Sequence, residues 1–202
     1  EVPAYHLKPE KSVNFETGYK LSLPKFQANL AAYYMVLNQL ITRVKVEGKE
    51  IDGYPVYIKE NVGEAFIAGG EAFFLWKLIP HLDLNGGFSY TYGQNITGDE
   101  PLRRIPPFNG KLGAVYTVKK YFVSGELLFA GKQDRLAAGD KSDNRIPEGG
   151  TPGWEVVNLF AGYNLQHISL KAGFENIFNE DYRTHGSGIN GVWRSSWLMV
   201  CF

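Results

Sequence analysis

Short and long connections alternate without exception along this chain, and few folds obey that rule. Nine segments read as strands, at residues 12–22, 26–42, 56–78, 82–92, 111–118, 121–135, 155–165, 168–176 and 192–202. Apolar and polar side chains alternate in them, as in strands with one apolar and one polar face. The stretches between run short (23–25), long (43–55), short (79–81), long (93–110), short (119–120), long (136–154), short (166–167) and long (177–191). An up-and-down meander puts connections of one parity on one rim. Tight turns on one rim and long polar loops on the other describe a transmembrane barrel with periplasmic turns and extracellular loops. A soluble sandwich has no physical reason to sort loop length by rim. The expected fold class is all-β: an antiparallel up-and-down transmembrane β-barrel portion of about nine strands.

The segment 82–92 alternates most clearly: Leu82, Leu84, Gly86, Phe88, Tyr90 and Tyr92 face one way, Asp83, Asn85, Gly87, Ser89 and Thr91 the other. Its apolar face carries no charge, which lipid would penalise by about 2–4 kcal/mol for Lys or Arg near the bilayer midplane. In 26–42, 17 residues pass without a charge, and Leu30, Tyr34, Leu37 and Ile41 also fit a helical stripe. Gln27, Asn29, Asn38 and Gln39 would then surround that helix, so a strand is preferred. Within 56–78 the phase changes: Ala72, Phe74, Trp76 and Leu78 lie on one face, while Ala65 and Ile67 stand in opposite phase. A β-bulge at Gly69-Gly70 is the expected cause. Of the 29 aromatics, Trp76, Tyr90, Tyr92, Tyr121, Phe122, Trp154 and Tyr163 fall at strand ends, where barrels carry interfacial girdles. The competing reading places them in a soluble sandwich core.

Composition removes other classes. Lysine plus arginine and aspartate plus glutamate are 21 each, so no electrostatic case exists for nucleic acid. The single Cys201 excludes an intrachain disulfide and a four-cysteine zinc site. A mean hydropathy of -0.22 resembles that of a soluble protein, but alternating strands average to such a value. The chain starts Glu-Val-Pro-Ala-Tyr, as a mid-protein cut would, and ends on Phe202 with no polar tail. Nine strands is odd where single-chain bacterial barrels are even, so residues 1–202 are expected to be the C-terminal portion of a larger barrel. Residues 1–11 would then lie in an outer loop, and Phe202 at the periplasmic face.

Motifs with other chemical readings are weak. Gly186-Ser187-Gly188-Ile189-Asn190-Gly191 spells GxGxxG, but it leaves no room for the helix and acid of a dinucleotide site. Asp181, His185 and Ser187 lack a nucleophile elbow, so no catalytic residue is assigned. Asp134, Asp140 and Asp143 depart from the EF-hand spacing and lack its closing Glu, which favours turns and pairing with Arg135 or Arg145 over calcium. His6, His81, His167 and His185 are scattered, and of these His185, in a long loop, is the candidate for touching haem. Asn95-Ile96-Thr97 is a glycosylation sequon by pattern only. No cofactor, metal site or enzymatic role is expected.

Several longer texts point to a family. Pro9 through Lys20, Asn61-Val62-Gly63-Glu64-Ala65 with Gly69 and Glu71, Leu102 through Pro107, and Lys132 through Leu136 are four of them. Arg145-Ile146-Pro147, Gly149 through Trp154, and Glu175 through Arg183 are the others. Together they resemble the C-terminal barrel half of TonB-dependent outer-membrane receptors, across essentially the whole chain. The resemblance implies a barrel of about 22 strands, an N-terminal plug and a segment contacting the TonB energy-coupling complex. It also implies uptake of a ferric siderophore, haem, cobalamin or, in some branches, a carbohydrate. Expected partners are outer-membrane lipid, a metal chelate or cobalamin-like ligand, and the barrel-assembly machinery, for which Phe202 would be the signal. Outer-loop candidates for ligand contact are Arg103, Arg104, Arg135, Arg145, Trp154, His185 and Arg194: arginine's fork suits carboxylate or phosphate, and Trp offers a stacking face. Arg-Asp pairs that order the loops are the competing account. A passive porin-like channel is the alternative function, and a soluble β-sandwich binding module a further one.

Overall fold

A computed structural model describes residues 3–61 and 63–202. Glu1, Val2 and Val62, the last within the Asn61 to Ala65 motif, lie outside the described residues. The strands are β1 (Lys11–Ser22), β2 (Phe26–Asn38), β3 (Ile41–Ile51), β4 (Tyr54–Asn61), β5 (Glu64–Ile79), β6 (Leu82–Asn95), β7 (Glu100–Pro101), β8 (Asn109–Val118), β9 (Tyr121–Ala130), β10 (Trp154–Asn164), β11 (Ser169–Glu175) and β12 (Ser195–Cys201). A short helix, α1 (Ala138–Lys141), follows β9. No helix among the described residues is long and apolar enough to cross a membrane; a β-barrel crosses with strands.

Hydrogen bonding runs antiparallel and in sequence order through β1-β2-β5-β6-β8-β9-β10-β11-β12, with β7 paired to β6, an open meander of nine long strands; the third expected strand, 56–78, divides, residues 56–61 lying in β4 and 64–78 in β5 of the meander. The segment 26–42 is a strand as far as Asn38, and two of the tight turns use left-handed backbone: φ is +72° at His81 and +52° at Lys119.

Further expectations need correction. The long connection 43–55 is not a loop, because β3 and β4 form a separate hairpin there. Its turn is Asp52-Gly53, with φ of +51° and +78°, the backbone a two-residue type I′ hairpin requires. The bulge at Gly69-Gly70 is absent: β5 pairs in continuous register with β2 there, and its irregularity lies between Lys77 and Ile79. Ala65 and Ile67 are apolar on the inner face because chain covers them. Ala65 is fully buried, and Ile67 borders a cavity with residues 100–105 and 137–139. Gly69 has another function: the Tyr33 ring crosses it so that its hydroxyl meets Thr91 Oγ1 at 2.8 Å.

The register assigns every strand residue to a face. Glu16, Lys20, Asn29, Glu71, Ser89 and Lys111 line one cavity together with Trp154 and His185, so this is the inner face. Lys111 pairs with Glu126, Asn158 donates to Glu126 Oε1, and the Asn176 N–H donates to Asn158 Oδ1, a polar ladder from wall to outer loop. Opposite stand Phe15, Tyr19, Leu30, Tyr34, Leu112, Val123, Leu159, Phe174 and Leu198, all exposed. Among the described strand residues of this outer face, the charges are Lys11, Glu64 and Glu155, each at a long-loop end. Trp76, Tyr90, Tyr92, Tyr121 and Tyr163 point outward as expected; the last pairs with Tyr121 at 4.4 Å between ring centroids. Phe122 and Trp154 do not join the girdles: Phe122 lies over Gly162 on the inner face, and Trp154 borders the inner cavity.

Neighbouring residues of β2 face opposite media. Leu30→Arg in the full-length protein should cost about 2–4 kcal/mol of folding stability in lipid vesicles, and Asn29→Arg under about 1 kcal/mol. Urea unfolding followed by heat-dependent gel migration measures both; equal costs would contradict the face assignment.

Candidate functional site

Three long loops, 96–108, 131–153 and 176–194, meet at the mouth above the inner face. The second is closed at its neck by paired backbone bonds between Gln133 and Thr151, of 2.9 and 3.0 Å. The Gln133 side chain donates to Ile105 O at 2.7 Å and accepts from Arg135 N, tying this loop to the first. Arg135 is fixed at the rim: its guanidinium donates to Gly93 O and to Gln94 Oε1 and lies 3.8 Å over the Tyr92 ring. Tyr92 in turn stacks on Phe66 and Phe66 on Tyr34, so this arginine caps an aromatic row on the outer face.

The third loop hangs from Asn176, which is buried with φ of +49°. Its amide donates to Glu180 O and Val192 O and accepts from Glu180 N, joining the loop's outgoing and returning strands. Asn179 Oδ1 accepts from the Arg194 backbone N–H at the same foot. Trp154 packs on Tyr182 with 4.7 Å between centroids.

At the centre, residues from two loops surround one carboxylate. Asp143 accepts from Arg145 Nε at 2.8 Å and Nη2 at 2.7 Å, from Arg104 Nη2 at 3.0 Å and from Arg103 Nη2 at 3.3 Å. Its side chain is 6% exposed, whereas those of Arg103, Arg104 and Arg145 are 41–47% exposed. Asp140 is buried beside it; Oδ2 accepts from the backbone N–H of Arg104 and Ala137, and Arg103 Nε lies 3.5 Å from Oδ1. Three guanidinium groups against two carboxylates leave this cluster with one net positive charge. The third loop packs onto it, Gly188 against Arg145 and Gly186 against Arg104, both with positive φ. The GxGxxG text is thus loop packing: its last glycine, Gly191, lies under the Tyr182 ring.

The arginines border a cavity of about 890 Å³ between these loops, the β3–β4 hairpin and the wall residues Leu37 and Ile67. The hairpin contributes Arg43, stacked 3.8 Å over Tyr57. Trp154 and His185 border the other, inner cavity of about 1040 Å³. Of the seven expected contact residues, Arg103, Arg104 and Arg145 therefore come together, Trp154 and His185 share a second space, and Arg135 and Arg194 line neither cavity. Asp181, His185 and Ser187 do not converge: they bond to Asn190, Thr151 and the Ile189 carbonyl respectively. Asp134 pairs with Lys132 at 3.1 Å, a hydrogen bond that holds its carboxyl below the usual range. Among the described residues no group of three or more His, Cys, Asp or Glu is placed to hold a metal ion.

Sequence reading missed Asp143 as the centre, the Asn176 tie and the Arg43–Tyr57 pair. The run Glu175 to Arg183 contained the second signal. The pairing of Asp143 with Arg145 was readable, but its contacts with Arg103 and Arg104 cross between loops, and the Arg43–Tyr57 pair depends on a hairpin where a loop is expected.

His185 Nδ1 lies 2.8 Å from Thr151 Oγ1, and Nε2 is buried without a partner. Burial holds this imidazole below its ordinary value, against the opposing pull of Asp140 and Asp143. The folded state then binds fewer protons than the unfolded one just below pH 6.5, so the loop's stability is full above that value and falls as pH drops through it. Acidifying from about pH 7.5 to about 5.5 should lower the protection factors of amides 184–190, each rate taken relative to the intrinsic rate at the same pH, in the solubilised intact protein. The variant His185→Gln should flatten that dependence. A pH response unchanged by the substitution would contradict it.

The family described as TonB dependent receptor-like, beta-barrel matches residues 2–177. An iron-regulated outer membrane virulence protein of Vibrio cholerae is 26% identical over 208 residues, covering 95% of this chain and 31% of the relative. Among solved structures, the copper transporter OprC superposes with a TM-score of 0.81 at 23% identity over 97% of this chain and 32% of its own. The FrpB iron transporter from Neisseria meningitidis gives 0.74 at 16% identity, over 98% and 32%. A mutant ferric enterobactin receptor, PfeA, from Pseudomonas aeruginosa gives 0.69 at 20%, over 96% and 31%. The chain spans about a third of the length of each of these relatives. The structural likenesses carry the fold, and the match across most of the sequence carries the class: this chain belongs to the TonB-dependent receptor family, and its large antiparallel sheet is β-barrel wall of the bacterial outer membrane.

Proposed function

We propose that residues 1–202 are the C-terminal portion of the β-barrel of a TonB-dependent receptor importing a scarce metal nutrient as a small chelate. The observation that carries the reading is the half-exposed cluster of Arg103, Arg104 and Arg145 bordering the mouth cavity, a donor array suited to carboxylate or phosphate oxygens. Relatives named for iron, copper and ferric enterobactin favour a metal chelate over cobalamin. Trp154 and His185 meet ligand on the inner side, while Arg135 and Arg194 hold loops in place. The outer face meets lipid, the TonB complex acts through the upstream part of the whole receptor, and Phe202 is read by the barrel-assembly machinery. No catalytic step is assigned.

Radiolabelled iron presented with citrate or a tricatecholate, and copper(II) in parallel, tests this in cells carrying the intact receptor. The double variant Arg104→Gln/Arg145→Gln should lose about tenfold in binding of the preferred anionic chelate. Collapse of the proton-motive force should abolish accumulation while leaving binding intact. Accumulation that persists without it favours a passive channel.

A further inference from the structure

The two carboxylates of the mouth are held in different ways. Asp140 is bonded to backbone N–H groups of Arg104 and Ala137 and does not border the mouth cavity. Asp143 is held by guanidinium groups and one N–H, that of Arg145, and does border it. Asp143 also borders a second space of about 630 Å³ on its other side, lined by Lys141, Asn144 and Glu148 among others. Its carboxylate therefore occupies the anion position of the cluster and borders a space into which it can swing, lined by Lys141 and by the acids Asp134 and Glu148.

We propose that Asp143 is an internal competitor: an anionic ligand reaches Arg103, Arg104 and Arg145 by displacing its carboxylate. Displacement severs the Arg103–Asp143 and Arg104–Asp143 ion pairs between loops 96–108 and 131–153, so occupancy of the mouth is converted into release of residues 142–146, while Asp140 keeps α1 on Arg103 and Arg104. This rests on the reading above that the arginines face ligand. The physical reason is stoichiometric. Arg145 directs both Nε and Nη2 at Asp143, and Arg103 and Arg104 add one Nη2 each. A ligand carboxylate approaching along the same N–H directions meets donors already engaged, so its apparent affinity is lowered by the fraction of molecules in which Asp143 is in place.

Citrate is a suitable probe, and the intact receptor in detergent the sample. Its dissociation constant, by calorimetry, should tighten about tenfold in Asp143→Asn. In the unmodified receptor, citrate should raise amide exchange across 142–146, a readout independent of any variant. Arg104→Gln separates the two layers of the argument. If it leaves citrate binding unchanged, or if neither the unmodified receptor nor Asp143→Asn binds citrate, the arginines do not face ligand and both readings fall. If Arg104→Gln weakens binding while Asp143→Asn fails to strengthen it, or exchange at 142–146 does not rise with citrate, the competitor alone is overturned.

Discussion

In a bilayer's hydrocarbon layer no water is present to accept or donate, so each backbone N–H and C=O must find its partner in a neighbouring strand. That demand explains the unbroken pairing of the nine strands better than side-chain burial does, since the sheet's outer residues are exposed rather than packed. Period-two alternation follows, because a strand walled by lipid on one side and by the lumen on the other must sort its side chains by position. The irregularity near Lys77 sits at the turn end of β5, where pairing is dispensable.

The wall also sets what the loops can be. Each outer loop springs from two antiparallel strand ends and returns to the same rim, so loops far apart in sequence are brought side by side. Arg103 and Asp143 are 40 residues apart yet form one ion pair across two loops. Asn158 on the wall and Asn176 at the foot of a loop extend the inner polar ladder into the mouth. The arginine cluster is therefore held by fixed anchors, while its own ties are ionic and exchangeable. A binding site on a rigid barrel needs that division.

Much of the wall was legible in the sequence because its signals are local. Leu82 to Tyr92 alternates visibly, and turn length reports the rim. The β3–β4 hairpin was legible too, through Asp52-Gly53 between alternating residues, but the expectation of a plain long loop obscured it. The bulge was misread because apolarity alone was taken as outward; Ala65 and Ile67 are apolar where loops cover the inner face. At the site, residue types were readable and partnerships were not. Arginines in polar loops mark an anion-binding potential, but nothing in the chain text distinguishes Arg135, stacked on Tyr92, from Arg145, held on Asp143.

The central claim is that one face of this sheet meets lipid and the other the lumen. Single cysteines placed along 83–90 of the intact protein, with Cys201 replaced, and labelled in outer-membrane vesicles test it most directly. The account predicts that positions 84, 88 and 90 respond to a lipid-soluble quencher, and positions 83, 85 and 89 to an aqueous one, with a period of two. Uniform aqueous access, or protection of positions 84, 88 and 90 from both quenchers, would contradict it.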